Sequence, residues 1–253
     1  MLLLIMVVDM RLDYNKYDPL IKKTVAHYWK TLKSQSNRQA KGDADRGRRA
    51  AVTCGKQMDG FCTVVRQLLQ DSGMPDADVF LNTKLELPGY FRPTKRWDML
   101  VISKGQLIAA MEFKSQRGPS FGNNFNNRTE EAIGTSQDLW TAYRECAFGG
   151  DCRRPWLGWV MLLEDCTEST APVAVEEPHF QVFPEFKNAS YAKRYELLIQ
   201  KLIREKLFDG GAFLTSTASG GPKGQYSEPS ADLTMRVFLA GLAGHVGVFV
   251  ANE

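Results

Sequence analysis

The stretch Trp97-Asp-Met-Leu-Val-Ile-Ser-Lys-Gly-Gln-Leu-Ile-Ala-Ala-Met-Glu-Phe-Lys114 decides how the rest of the chain is read. Two apolar runs, 97–102 and 106–114, are joined by Ser103-Lys104-Gly105. Such runs on either side of a Gly-containing turn read as an antiparallel hairpin. Neither run alternates cleanly, which predicts helices over both faces of the sheet. A strand has a side-chain period of two, so Glu112 and Lys114 share a face. Asp98 opens the partner strand, and a turn at 103–105 puts its pairing partner near residue 110, within reach of a metal ion shared with Glu112. These charges close an otherwise apolar run, where charge is costly unless paired or metal-bound.

Outward from the hairpin, helical and strand patterns alternate. Asp18-Pro19 opens a helix with Leu20, Ile21, Val25, Tyr28, Trp29 and Leu32 on one face. Residues 33–49 read as a polar, basic arm, and 57–72 as a second helix ending near Gly73. Residues 79–87 have strand character and end at Pro88-Gly89. Residues 118–127 read as a Gly- and Asn-rich loop, with Thr129-Glu130-Glu131 as the N-terminus of a helix running to about Phe148. Residues 156–164 form an apolar strand. The segment 167–188 is irregular, 190–208 a basic helix, and 209–230 a Gly/Ser/Pro-rich loop. An apolar segment, 233–250, is of undetermined type. From 57 to 164 the order is helix, three strands, helix, strand: an α/β domain whose mixed central sheet is flanked by helices.

Composition permits much and excludes a little. The 253 residues suit one domain, with a catalytic core at about 55–166 and a C-terminal part, 167–253, available for DNA contact or dimerisation. A net charge of +3 does not by itself indicate nucleic acid. Five cysteines without CxxC spacing and three histidines argue against a structural zinc site or a disulfide scaffold. Reduced cysteines suit a cytoplasmic protein. The apolar 1–8 stretch is too short to span a bilayer and lacks the basic region and cleavage site of a signal peptide. No membrane association is expected.

Two carboxylates and a lysine on one sheet edge suit phosphodiester hydrolysis, in which divalent metal neutralises phosphate charge and activates water. Asp98, a 13-residue spacer and Glu112-Phe-Lys114 match the PD-(D/E)xK nuclease arrangement, with Trp97 where that motif has Pro. The triplet alone is weak, because a surface Glu–Lys pair is common on strands.

The neighbouring words are more specific. Leu87-Pro-Gly-Tyr-Phe-Arg-Pro-Thr-Lys-Arg-Trp-Asp98 and Gly118-Pro-Ser-Phe-Gly-Asn-Asn-Phe-Asn-Asn-Arg-Thr-Glu-Glu-Ala-Ile-Gly134 closely resemble the XhoI-type restriction endonucleases. So do Lys56-Gln-Met-Asp-Gly-Phe61, Glu164-Asp-Cys166 and Val182-Phe-Pro-Glu-Phe-Lys187. The similarity spans about 14–208. It implies a restriction-endonuclease-like core and Mg²⁺-dependent cleavage of double-stranded DNA at the palindrome 5′-CTCGAG after the first C, leaving 5′ overhangs. A homodimer and a methyltransferase in the same system are expected to accompany that activity. Asp98 and Glu112 would hold Mg²⁺, with the Phe113 carbonyl and Asp59 as further donors, and Lys114 would orient water or stabilise the phosphate.

Base reading calls for side chains that bond base edges, Asn to adenine and Arg to guanine in the major groove. Asn123, Asn124, Asn126, Asn127 and Arg128 are the first candidates, with Gln116 and Arg117 beside them. The basic 33–49 segment is a candidate for phosphate contact. Two other readings share DNA affinity: a PD-(D/E)xK repair or recombination nuclease of relaxed specificity, and a DNA-binding protein that has lost catalysis.

Overall fold

The computed structural model of the protein describes residues 12–40 and 57–251. The apolar start at 1–8, the basic residues 41–49 and Cys54 fall outside them. Helix α1 (Asp18–Ala40) buries Ile21, Val25, Tyr28, Trp29 and Leu32 at helical spacing, with Leu20 half-buried. It continues through 33–40, where a polar arm is expected. Helix α2 (Asp59–Asp71) buries Phe61, Val64, Val65, Leu68 and Leu69 and is followed by Gly73, which adopts a φ of +85° at no Cβ penalty.

The main sheet has the order β1-β4-β5-β6-β7. Strands β1 (Val79–Phe80), β4 (Met99–Ser103) and β5 (Gln106–Gln116) pair antiparallel. Strands β6 (Trp156–Glu164) and β7 (Gly210–Ser216) extend the sheet in parallel from β5. The sheet is therefore mixed and buried on both faces, as the unbroken apolar runs predict. One face packs against α1, α2 and α6 (Met235–Val250), with Met99, Val101, Met111, Val160 and Leu214 between the layers. The other packs against α3 (Phe121–Arg144) and α5 (Tyr191–Arg204) through Leu100, Ala110, Trp159, Met161 and Phe213. Among the described residues no helix is long and apolar enough to cross a membrane.

Three further expectations change. The 79–87 segment is not one strand: after β1 the chain leaves the main sheet and forms a separate hairpin, β2 (Glu86–Pro88) with β3 (Thr94–Arg96). Helix α3 begins at Phe121, eight residues ahead of Thr129, because Phe121 stacks on Tyr191 and Phe125 meets Tyr195 edge-on. That packing overrides the turn preference of the Asn residues. The supposed 209–230 loop contains β7, a strand of the central sheet. Its Gly210 and Gly211 mark close approach: a Cβ there would meet Trp156 at 2.5 Å and Ile199 at 2.3 Å. The C-terminal part is thus built into the core, since α5, β7 and α6 all pack there. A four-residue helix α4 (Thr167–Thr170) is the one α-helical element in the irregular 167–188 segment.

Candidate active site

The β4–β5 hairpin turns on Lys104 and Gly105, both at positive φ (48° and 76°), a two-residue turn that suits the twist of the strands. From the turn the register runs Ser103↔Gln106 and Ile102↔Leu107, then shifts to Val101↔Ala109 and Met99↔Met111. Ile108 is the extra residue. The bulge shows in the burial, because Ile108 and Ala109 both pack on the α1/α2/α6 side whereas Leu107 and Ala110 face the other. A shift of one residue exchanges the faces of a strand. Without it Asp98 would oppose Met111. With it, the register carried one step past Met99↔Met111 sets Asp98 opposite Glu112, two residues beyond the position expected from the turn, and Lys114 lies against both carboxylates. The Ile108 carbonyl lies 3.1 Å from His245 Nε2 of α6, which must carry its proton to donate there.

Asp98 Oδ2 accepts the Phe113 N–H at 2.8 Å, which ties the start of β4 to β5. In a strand a residue's N–H and C=O point toward the same neighbour, so the Phe113 carbonyl shares the Asp98 flank. Glu112 is 2% exposed. Its Oε1 accepts from Lys95 Nζ on β3, and its Oε2 lies against Lys114 Nζ. Lys114 Nζ is also 3.6 Å from Asp98 Oδ2 and 3.4 Å from Glu131 Oε1 on α3. Burial drives the Glu112 carboxyl upward in pKa, aided by Asp98 and opposed by Lys114 and Lys95. Burial opposes the Lys114 charge, yet Glu112, Asp98 and Glu131 outweigh it and hold the ammonium well above its ordinary range. Lys114 is therefore a fixed cation, suited to stabilising negative charge rather than to accepting a proton.

Sequence reasoning missed Lys95 and Glu131. Lys95 rides on the unforeseen hairpin, its ammonium 5.0 Å from the Trp97 ring. Glu131 was read only as a first-turn acid, but it sits mid-helix and pairs with Lys114 and Arg128. Burial raises its pKa, and these two cations more than reverse the effect. Neither carries a local signal: Lys95 stands between Thr94 and Arg96 and Glu131 follows Glu130, as charges on a solvated surface do.

The metal reading can be tested on the donors. Glu112 Oε2 is buried against the Lys114 ammonium, and a carboxylate oxygen so placed keeps a second lone pair that a cation would meet. Asp98 keeps 36% of its side chain exposed, so the pair opens to solvent on one side. Two carboxylate groups and a backbone carbonyl suit a hard cation that retains several waters. No cluster of three or more His, Cys, Asp or Glu set to hold a metal occurs among the described residues. Asp59 is exposed at the start of α2; one turn along that helix, burial raises the pKa of Cys62, with smaller contributions from Asp98 and Asp59.

The expected DNA-contacting residues divide. Asn124, Arg128 and Glu131 follow one face of α3 at spacings of four and three, leading away from Lys114 toward the helix N-terminus. Asn123, Asn126, Asn127 and Arg117 are exposed and Asn124 partly so. Arg128 pairs with Glu131. Gln116 is not at the surface. Only 5% exposed, it donates to the Phe121 carbonyl at 3.2 Å and accepts from the Tyr195 hydroxyl, bracing α3 and α5 against β5. Strand alternation turns it into the layer between sheet and helices, which removes it from the base-reading set.

A family model described as "Restriction endonuclease XhoI" matches residues 37–228. The type II restriction enzyme BstVI of Geobacillus stearothermophilus is 53% identical over 220 residues, covering 85% of this chain and 97% of that protein. The type II restriction enzyme XhoI of Xanthomonas vasicola is 48% identical over 199 residues, covering 77% and 78%. AbrI of Azospirillum brasilense, also a type II restriction enzyme, is 49% identical over 174 residues, covering 68% and 78%. No solved structure matches.

Proposed function

Because the chain belongs to the XhoI restriction endonuclease family and is a type II restriction enzyme, we propose that it cleaves double-stranded DNA at 5′-CTCGAG, after the first C of each strand, with Mg²⁺. The observation that carries the chemistry is the bulge at Ile108, which sets Asp98 opposite Glu112 with Lys114 against both. The reading assigns the sheet and its flanking helices to a PD-(D/E)xK core. Asp98, Glu112 and the Phe113 carbonyl would hold the ion, with Asp59 as a further carboxylate. Bound there, Mg²⁺ supplies charge neutralisation at the scissile phosphate and a water of lowered pKa.

The chain's own side chains do the rest. Lys114 faces the same opening as Asp98 and holds a positive charge where the pentavalent phosphate gains negative charge. Glu131 and Glu112 keep that ammonium pointed and protonated. Lys95 neutralises the buried face of Glu112. The exposed Asn side chains of α3, together with Arg117, are the proposed base and backbone contacts, and a two-fold dimer matches the palindrome.

Incubating plasmid DNA with the protein and Mg²⁺ tests the reading. Discrete fragments ending at 5′-CTCGAG sites are expected. A smear would indicate a nuclease of relaxed specificity, and intact plasmid a DNA-binding protein without catalysis; either overturns the proposal.

A further inference from the structure

The β2–β3 hairpin ends in Pro88-Gly-Tyr-Phe-Arg-Pro93, and its tip breaks the usual rule for large aromatic residues. Phe91 is 69% and Tyr90 54% exposed, their rings packed edge to face at 4.9 Å. The tip is nevertheless held firmly. Buried Asp138 of α3 accepts the Tyr90 and Phe91 N–H groups on one oxygen, both at 2.8 Å, and Arg92 Nε on the other at 2.6 Å. Gly89 lets the loop close on that carboxylate, since a Cβ there would meet Asp138 Oδ2 at 2.7 Å and the Arg92 carbonyl at 2.8 Å. A buried charge that orders a surface loop, only to leave two rings in water, implies that something else covers them.

The position says what. Strand β3 also carries Lys95, bonded to Glu112, so Phe91 lies no more than about 14 Å of chain from a residue on the catalytic carboxylate. With about 6 Å more for the Lys95 side chain, and at about 3.4 Å per base step, the tip reaches no further than about six base steps from Glu112. Lys84 is exposed on this hairpin, and Arg92 and Arg96, though paired with Asp138 and Glu86, keep 40% and 57% of their side chains in solvent, so cationic surface remains for a polyanion.

Resting on the nuclease reading above, we infer that Tyr90 and Phe91 are a DNA-contacting wedge, stacking on bases within a few steps of the cut. Such rings act by filling and unstacking a base step, and the anchoring by Asp138 reduces the entropy lost on contact.

The test uses the full chain with Ca²⁺ and a duplex containing 5′-CTCGAG in which 2-aminopurine replaces the adenine, the base paired beside the cut. Wild type should change the 2-aminopurine fluorescence. Phe91→Ala should abolish that change and weaken binding about tenfold, whereas Phe91→Trp should keep both. Both side chains are exposed, so the variants should melt with wild type. Binding and fluorescence unchanged in Phe91→Ala and Tyr90→Ala would overturn the inference. So would conversion of a dimer to a monomer by Phe91→Ala, which would place the tip in a subunit contact. If wild type ignores this duplex, the sequence assignment has failed rather than the wedge. The wedge is then judged on plasmid DNA at low salt, where Phe91→Ala must still bind more weakly than wild type.

Discussion

Lys95 Nζ donates to Glu112 Oε1, although the two residues belong to different sheets and only the fold brings the β2–β3 hairpin against β5. Glu112 is thereby held between two lysines, Lys95 on one oxygen and Lys114 on the other. A cation entering this site shares its carboxylate with at least one ammonium.

Lys95→Met should therefore destabilise the metal-free protein by about 1–3 kcal/mol, the usual penalty for leaving a buried charged acceptor short of a donor. Ca²⁺ should recover most of that loss by taking over the carboxylate. Thermal melts of both proteins with and without Ca²⁺ check it. An identical deficit in the two conditions would show that no cation reaches Glu112.

Asp98→Ala and Glu112→Ala should each reduce cleavage by at least about 10³-fold while specific DNA binding largely persists, because metal ligands serve the transition state more than recognition. Lys114→Ala should lose about 10²–10³-fold through the missing cation at the phosphate. Single-turnover cleavage alongside binding titrations measures both. Wild-type turnover by any of the three would remove that residue from the site.

His245 carries a pH dependence. Burial lowers its pKa below the ordinary 6.5, against the pull of the Ile108 carbonyl and Asp209, so the folded state holds it neutral. A group depressed in the fold contributes stability above its unfolded pKa and loses it as pH falls through the folded pKa. Stability should thus decline below about pH 6.5. His245→Gln, which keeps a donor for the bulge carbonyl without titrating, should flatten that part of the curve. Denaturant melts between pH 8 and 5.5 would show it, and parallel curves for the two proteins would refute it.

Recognition should split by contact type. Asn124→Ala or Asn127→Ala, if either reads a base, should cost roughly 1–3 kcal/mol on cognate DNA and little on scrambled DNA. Lys33→Ala or Arg117→Ala, if either meets phosphate, should weaken both alike and reduce the salt slope by about one. Equal losses on both duplexes for the Asn variants would assign the start of α3 to the DNA backbone.

Analytical ultracentrifugation should give about twice the 28.5 kDa chain mass, with or without DNA, as a two-fold target is most simply met by a two-fold protein. A monomer both free and on cognate duplex would contradict this.

The sequence by itself determined the hairpin, its turn, the helices on both faces and the triplet Asp98, Glu112 and Lys114. Those features are written in local periodicity and in charges ending apolar runs, which one window of residues contains. Strand β6 over 156–164 was legible for the same reason. Tertiary structure decided the rest. Whether the Asn-rich segment turns or coils depended on Phe121 and Phe125 finding Tyr191 and Tyr195, about seventy residues away. Whether Gly210-Gly211 opens a loop or a strand depended on Trp156 and Ile199 crowding it. The bulge at Ile108 and the approach of Lys95 and Glu131 have no local signature. Register and side-chain pairing between distant segments are chosen by the packing of both sheet faces at once, and that energy is defined only when the whole core is closed.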